Sequence, residues 1–206
     1  DGTRIFVPTS AVVNGKVKFI APKKGQYYFG ANDVSFTDIG GRWSESNTLF
    51  AAQREIFKGT GEGIFEPESA MDRTMVITVL YRLAGSPTVS GTASYTDVES
   101  GSWYHDAVLW GEEKGIVKGY GDGVFGVSDV ITREQLCTML TRFCDCMNYS
   151  LPPVVESEAF TDADSISDWP YEAVDYCKTR RLVNGVPGGA FVPLETCTRE
   201  ESSAVL

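Results

Sequence analysis

The chain has 206 residues, enough for one large domain or a few small units, and 42% of them are hydrophobic and 22% charged. Its net charge of −10 argues against nucleic acid and anionic lipid as partners, because binding to phosphate requires a basic face. No apolar run reaches the length of about 18 residues that a transmembrane helix requires, so membrane insertion is not expected.

Residues 1–35 differ from the rest of the chain, because they contain no copy of the pattern that recurs later. Asn14 and Gly15 form a dipeptide typical of a two-residue hairpin turn. The flanking segments 16–20 (KVKFI) and 26–29 (QYYF) have the composition of strands. We therefore predict a short β segment, which could also be the tail of a preceding domain.

From residue 36 onward the chain repeats itself three times. Equivalent residues are separated by 60 and then 66 positions, and this offset holds from a tryptophan early in each copy to a leucine late in it. Constant offsets of this size indicate copies of one supersecondary unit. The repeats are predicted at 36–85, 95–143 and 160–206, the last with a truncated end, with loops at 84–94 and 144–159. The repeated positions include Trp43, Trp103 and Trp169; Phe65, Phe125 and Phe191; and Arg73, Arg133 and Arg199.

Each repeat is predicted to contain two helices. An aromatic-Thr-Asp triplet comes first, then a tryptophan that begins an amphipathic pattern, then a glycine-rich reversal. The second helix begins at the arginine and carries an apolar stripe, which in repeat 2 consists of Leu136, Met139, Leu140 and Phe143. We expect six main helices, with the stripe-bearing second helices in contact with one another.

The five cysteines do not form a metal-binding pattern. Cys144 and Cys146 are spaced too closely for a usual zinc half-site, and His105 is the single histidine of the chain. We interpret the cysteines as small buried apolar residues and predict no metal and no cofactor.

The arginine at the start of each second helix is in an electrostatically unfavourable position. Thr132 with Gln135, and Thr198 with Glu201, form capping boxes, so Arg133 and Arg199 occupy the first helical position. A cation is unfavourable there because the helix N-terminus is already positive. Such an unfavourable position, repeated at one register, suggests a functional anion site, which replacement by alanine should weaken without loss of stability. The alternative is that each arginine pairs with an acidic residue, such as Asp97 or Glu112.

The repeated tryptophans and the tyrosines near them allow two interpretations. Aromatic rings present flat apolar faces that suit stacking on sugars, but they also pack well in a core. Combined with the anion sites, stacking would indicate a carbohydrate that carries carboxylates.

The ordered motifs resemble the S-layer homology repeat. Repeat 2 carries YTDV, WYHDAV, GIVKGYGDGVFG and ITREQLCTMLTRF, and repeat 3 carries FTDA, WPYEAV, NGVPGGAFVP and CTREE. The start of the second helix carries the family's TRAE-type signature, which is TREQ in repeat 2 and TREE in repeat 3. Repeat 1 has diverged: it keeps Trp43 and, in MDRT, only the arginine of this signature. The resemblance covers residues 36–206. It implies a mainly α fold of three helix-loop-helix repeats packed as a pseudo-threefold unit, preceded by the short β segment.

The resemblance also implies a function. Such triplets anchor surface proteins non-covalently to the wall of Gram-positive and related bacteria, in grooves between neighbouring repeats. They bind an anionic secondary cell-wall polysaccharide, often through a pyruvylated amino sugar whose carboxylate contacts the signature arginine. A monomeric, extracellular module of the cell wall or S-layer is therefore expected. The candidate glycan-binding residues are Arg133, Arg199, Arg73, Trp103, Trp169, Trp43, Thr132, Glu134, Thr198, Glu200, Gly119 and Tyr120, and the intactness of the motifs ranks the Arg133 groove first and the Arg73 groove last.

Three alternatives have other functions. A structural stalk or protein-interaction module would use the repeats for packing alone and would bind no glycan. A wall-polymer hydrolase would need catalytic residues, but His105 is not a repeated feature and carboxylate pairs are common in any acidic chain. A calcium module would need constant ligands, whereas Asp122 is replaced by Glu62 and Gly188 in the other repeats.

Overall fold

The computed structural model describes residues 6–154 and 158–205 and confirms a mainly helical fold of three repeats. The first helices of the repeats are shorter than the central second helix, which has 14 residues. Within the described ranges the α-helices are α1 (Glu45–Gln53), α2 (Arg73–Leu83), α3 (His105–Glu113), α4 (Arg133–Cys146), α5 (Tyr171–Thr179) and α6 (Arg199–Val205).

The N-terminal segment contains a small antiparallel hairpin. Strands β1 (Ala11–Val13) and β2 (Lys16–Lys18) pair across Asn14 and Gly15, which have φ angles of 52° and 71°. Positive φ at both turn residues is what a type I′ hairpin needs, so the prediction from the Asn-Gly dipeptide is confirmed. The strand predicted at 26–29 is wrong, because that segment is irregular.

The helices pair between repeats. The second helix α2 packs on α3 of the next repeat, α4 packs on α5, and α6 returns to α1. Helices α2 and α4 also touch, as predicted, but within the described ranges α6 contacts neither of them, so the prediction that all three second helices pack together is wrong for α6. The stripe of α4 is buried as predicted, from Leu136 to Phe143. Because each repeat covers its neighbour's apolar face, the core is shared by all three.

A ring of backbone hydrogen bonds joins the three repeats at equivalent positions. Met71 N donates to Cys197 O at 2.9 Å, Ile131 N to Met71 O at 2.9 Å, and Cys197 N to Ile131 O at 3.2 Å. All three side chains are buried. We call this set the central hydrogen-bond ring, and its cyclic pattern defines the pseudo-threefold arrangement.

The aromatic-Thr-Asp triplets brace the glycine-rich turns. In repeat 2, Asp97 accepts hydrogen bonds from the backbone of Phe125 and Gly126 at 2.7 Å each and from Val127 at 3.3 Å. Burial works to raise the pKa of Asp97, but these backbone donors outweigh it and hold the pKa below the ordinary value. Asp38 and Asp162 accept the equivalents of the first two bonds in repeats 1 and 3.

The first glycine of each turn is required by a close approach of the chain. A side chain at Gly119 would place Cβ within 2.6 Å of the Tyr95 ring, and one at Gly59 within 2.6 Å of Ile64 O. Gly185 has the equivalent contact to Ala190 O, at 2.9 Å. Packing of the turn therefore accounts for this repeated glycine.

The loop predicted at 144–159 begins later than expected. Helix α4 continues to Cys146, and Cys144 packs in the core on its last turn. Cys137, Cys177 and Cys197 are also buried, as expected for small apolar residues, and Cys146 is partly exposed. The five thiols are free.

Candidate functional site

The three repeated arginines reach across to the glycine-rich turn of the following repeat. Each guanidinium donates through Nε and Nη2 to two backbone carbonyls of that turn. The acceptors are Phe125 O (3.0 Å) and Lys118 O (2.8 Å) for Arg73, Phe191 O (2.7 Å) and Asn184 O (2.8 Å) for Arg133, and Phe65 O (2.7 Å) and Lys58 O (2.8 Å) for Arg199.

The alternative of an acidic partner for these arginines is not what the structure shows. Over residues 6–154 and 158–205 the ion pairs are those of Arg42, His105 and Lys114, and none involves a signature arginine. Instead each guanidinium also lies over an aromatic ring: Arg73 over Phe125 at 4.7 Å, Arg133 over Phe191 at 5.0 Å and Arg199 over Phe65 at 4.6 Å. Carbonyl dipoles and ring faces thus stabilise the charge, which is buried in Arg73 and Arg199 and partly exposed in Arg133.

The helix N-terminus beside Arg133 is already occupied. Arg133 N donates to Glu195 O at 2.9 Å, and Glu134 N donates to Pro193 O at 3.1 Å. Gln135 N donates to the Thr132 hydroxyl at 3.4 Å, which confirms the capping box. The predicted capping by Thr198 is confirmed in the same way. The threonines therefore act as caps, and an external anion would find the first three N–H groups of α4 engaged.

The repeated tryptophans are exposed rather than packed in the core. Trp43, Trp103 and Trp169 are 63%, 60% and 58% exposed. The prediction that each begins a helix is wrong, because α1, α3 and α5 begin two residues later. The buried face of α3 is formed by Ala107, Trp110 and Gly111 instead. Exposure of three large apolar rings at one register leaves them available for a ligand.

One cleft, with a volume of about 450 Å³, gathers predicted site residues from all three repeats. Repeat 1 contributes Arg73, repeat 2 contributes Gly119, Tyr120 and Glu134, and repeat 3 contributes Trp169. We call it the Arg73 cleft. Tyr120 is 56% exposed, and the Arg73 guanidinium lies 4.7 Å from its ring centroid.

This composition overturns the basis of the ranking made from motif intactness. That ranking assumed that the well-kept residues of repeat 2 share one groove. Arg133, however, inserts into the turn of repeat 3, whereas Glu134 and Tyr120 of repeat 2 line the cleft that contains Arg73. Arg73, whose own motif has diverged most, therefore lies beside the glycine-rich turn of repeat 2, whose motif is intact.

The two glutamates of the signature hold neighbouring repeats together. Buried Glu134 accepts hydrogen bonds from Ser167 N at 3.2 Å and Ser167 Oγ at 3.0 Å. Glu200 accepts from Arg42 at 2.7 and 2.9 Å and from Ser44 Oγ at 2.6 Å. The hydrogen bonds from Arg42, more than that from Ser44, keep the pKa of Glu200 below its ordinary value. Repeat 1 has Thr74 at this position, and its hydroxyl bonds Asp72 instead.

Two further side chains concern the function, and of these Arg142 lines the cleft and His105 does not. His105 Nδ1 lies 3.1 Å from Asp106 Oδ1, and within the described ranges no serine, threonine or cysteine shares a hydrogen bond with its imidazole. Arg142 lines the Arg73 cleft, and sequence reasoning missed it. The signal was present, because Arg82 precedes Arg142 by the same 60-residue offset.

Each helix pair joins two different repeats, and the three pairs close into a ring. Exposed aromatic side chains lie at the junctions between repeats. These features define a repeat module whose candidate binding surfaces lie between its repeats. The family model of the S-layer homology domain matches residues 35–73, 94–137 and 159–201. The chain belongs to the S-layer homology family and is accordingly an anchoring module of the bacterial cell surface. In the part of the chain that the structure describes, no helix has the length and apolar character needed to cross a membrane.

Relatives that contain a similar segment are larger proteins. An amylopullulanase of Thermoanaerobacterium thermosulfurigenes is 28% identical over 193 residues, which cover 94% of this chain and 10% of the relative. A cellulosome-anchoring protein of Acetivibrio thermocellus is 23% identical over 160 residues, covering 73% of this chain and 34% of the relative. An S-layer protein of Bacillus thuringiensis subsp. finitimus is 23% identical over 200 residues, covering 95% and 22%. This chain therefore spans between a tenth and a third of these relatives.

Proposed function

We propose that the chain anchors a surface protein by binding an anionic, pyruvylated secondary cell-wall polysaccharide in the clefts between its repeats. The observation that carries this proposal is the Arg73 cleft, where a guanidinium and two exposed aromatic rings meet at a junction of repeats. The module itself would be non-catalytic, and it would tether to the wall whatever the rest of the polypeptide carries.

The donors of Arg73 support a carboxylate as the recognised group. Its Nε and Nη2 are engaged by carbonyls, whereas Nη1 has no hydrogen-bond partner among the described residues. That nitrogen is not among the buried polar atoms left without a partner, so solvent reaches it. A carboxylate at this nitrogen would gain a charge-assisted hydrogen bond in a site partly screened from water.

The aromatic side chains support a sugar as the carrier of that carboxylate. Trp169 and Tyr120 line the same cleft and present exposed rings on which a pyranose face can stack. The chain is acidic overall, with a net charge of −10, so its overall electrostatic field would repel an anion. An anion would be bound through the cations that line the cleft, which are Arg73, Lys118 and Arg142.

A cell-wall pull-down tests the proposal. Wild-type protein should sediment with purified wall material and remain in solution after the pyruvylated polymer has been stripped from it. Trp169→Ala should reduce sedimentation, whereas Tyr28→Ala should not, because Tyr28 is 82% exposed on the N-terminal segment. Equal binding to stripped walls would contradict the choice of ligand. Failure to sediment with either preparation would favour a structural or protein-interaction role.

A further inference from the structure

A second arginine stands beside the signature arginine in the Arg73 cleft. Arg142 lies on α4, two turns beyond Glu134 on the same helix, and lines the cleft with Arg73. Its Nη1 makes one long hydrogen bond, of 3.4 Å, to Ile116 O. Arg82 on α2 is the equivalent residue in repeat 1, with a bond of 3.3 Å to Ile56 O.

The charges that line this cleft are unbalanced. Arg73, Arg142 and Lys118 face it, and the single carboxylate in its lining, Glu134, is held by Ser167. Across the described chain no carboxylate lies within ion-pair distance of these three cations. Burial and the nearby Arg73 guanidinium lower the pKa of Arg142, as expected for like charges held close together. A bound anion would relieve this repulsion.

The equivalent arginine pair elsewhere in the ring has more acidic residues around it. Arg199 and Arg82 also lie close together, but Glu66 and Asp38 act on Arg199 to raise its pKa against the effect of burial. Glu55 acts in the same way on Arg82. The residues of repeat 2 that correspond to Glu55 and Glu66 are both glycines, Gly115 and Gly126. The Arg73 cleft thus keeps the arginine pair and lacks two of the acids that accompany it in repeat 1.

We propose that Arg142 and Arg73 together form the carboxylate-binding pair of this module, and that the Arg73 cleft is its principal site for an acidic sugar. The inference rests on the proposed glycan-binding function and names the groups that perform it. The two guanidiniums hold the carboxylate, Lys118 adds a third positive charge, and Trp169 contacts the apolar face of the sugar that bears it.

Calorimetric titration with a small probe tests the pair. The probe is the methyl glycoside of a 4,6-pyruvylated N-acetylhexosamine, and its unpyruvylated parent is the neutral control. Arg142→Gln should weaken binding of the acidic probe roughly tenfold to hundredfold, the loss typical of a charge-assisted hydrogen bond. Arg142→Lys, which retains the charge, should lose less. Added salt should weaken binding by the wild type more than binding by Arg142→Gln.

Arg82→Gln is the matched control, because it removes the equivalent side chain from the equivalent helix. It should change probe affinity little, while its midpoint of urea unfolding reports any cost to the fold that the two variants share. Equal weakening by Arg82→Gln and Arg142→Gln would overturn the assignment of the site, and so would unchanged affinity in Arg142→Gln. If Arg142→Gln loses nothing while wild type still sediments with cell walls, the role of Arg142 is rejected and anchoring stands. If wild type binds neither probe nor walls, both proposals fail.

Discussion

Arg199 shows why a cation can stand at the positive end of a helix. Its own N–H donates to Ser69 O at 2.9 Å, so the helix terminus is satisfied by the neighbouring repeat. Its guanidinium then supplies donors to Phe65 O and Lys58 O, two carbonyls of an irregular turn. Carbonyls buried in such a turn without a hydrogen-bond donor would be destabilising. The planar guanidinium of Arg199 donates to both of them at once. These contacts favour a loss of stability on removal of this arginine, the opposite of the expectation from the helix N-terminus alone.

Arg199→Ala should destabilise the fold. Two carbonyls at a buried junction would lose their donors, at a cost of roughly 1–3 kcal/mol for each unsatisfied group. The measurement is the free energy of unfolding from urea titration. Arg199→Lys should recover part of the loss, since one ammonium cannot reproduce the fork.

The exposed Lys24 supplies the control for this substitution. Lys24→Ala removes a positive charge from the N-terminal segment and should leave the free energy of unfolding within about 0.5 kcal/mol of wild type. An Arg199→Ala protein as stable as Lys24→Ala would show that the carbonyls of the turn find other partners.

The aspartates of the three triplets should make stability depend on pH in acid. Backbone donors hold the pKa of Asp97 below its ordinary value of 3.8, so the folded state favours the ionised form. The associated stability is fully present above the unfolded-state pKa and is lost as pH falls through the lower folded-state pKa. The midpoint of urea unfolding should therefore be nearly constant from pH 7 to about 5 and fall below about pH 4.

Asp97→Asn should be less stable than wild type at pH 7 and should show a shallower decline in acid. Asn keeps one oxygen acceptor but lacks the charge that strengthens hydrogen bonds from Phe125 N and Gly126 N. The difference between the two proteins should shrink as pH approaches 2. Parallel curves over the whole range would assign the acid sensitivity to other carboxylates.

At the scale of elements, one helix crossing recurs with different side chains. On α2 and α3 the crossing places Ile77 against Gly111, where a Cβ would lie 2.6 Å from the isoleucine Cδ1. The residues at the same positions of α4 and α5 are Cys137 and Cys177, and Cys177 Sγ donates to Cys137 O at 3.7 Å. A large residue facing glycine and two small residues facing each other both fit the same interhelical space.

Gly111→Ala should be destabilising despite the better helix propensity of alanine. The propensity gain is about 1 kcal/mol, whereas overpacking a buried crossing costs about 1–3 kcal/mol. Ile77→Ala removes both obstructing atoms, Cδ1 and Cγ1, so Gly111→Ala should cost less stability in the Ile77→Ala background than in wild type. Thermal unfolding of the four proteins in this double-mutant cycle provides the coupling energy, and additive effects would contradict the contact.

The helices themselves could be predicted because their signals are local. Capping boxes, apolar stripes and glycine-rich turns can each be recognised within about a dozen residues. The offsets of 60 and 66 residues show that the same motifs recur three times, which strengthens each prediction. The exchange of helices between repeats could not be predicted, since a stripe does not specify which neighbour covers it. For the same reason the motif around Arg73 could not indicate that this arginine enters the turn of repeat 2.

At the scale of the whole molecule, the three repeats should unfold as one unit. Each helix pair contains one helix from each of two repeats, so no single repeat has a complete core. Removing residues 160–206 would uncover α1 and α4 together. We expect the shortened protein to be insoluble or to lack a cooperative thermal transition, as judged by circular dichroism. A soluble two-repeat protein that melts cooperatively would contradict the shared core.

The pairing of α6 with α1 joins the two ends of the repeat region and should therefore form late when the chain is made. The pairs α2 with α3 and α4 with α5 join segments close in sequence, whereas the bond between Ser44 and Glu200 spans 156 residues. Closing so long a loop is entropically costly and slow. A chain that emerges from a ribosome or export pore one end first therefore holds α1 without its partner until α6 arrives. Until then Ser44 and Thr48 lack their partners Glu200 and Ser203, so the polar contact between α1 and α6 should be the last of the three helix pairs to form.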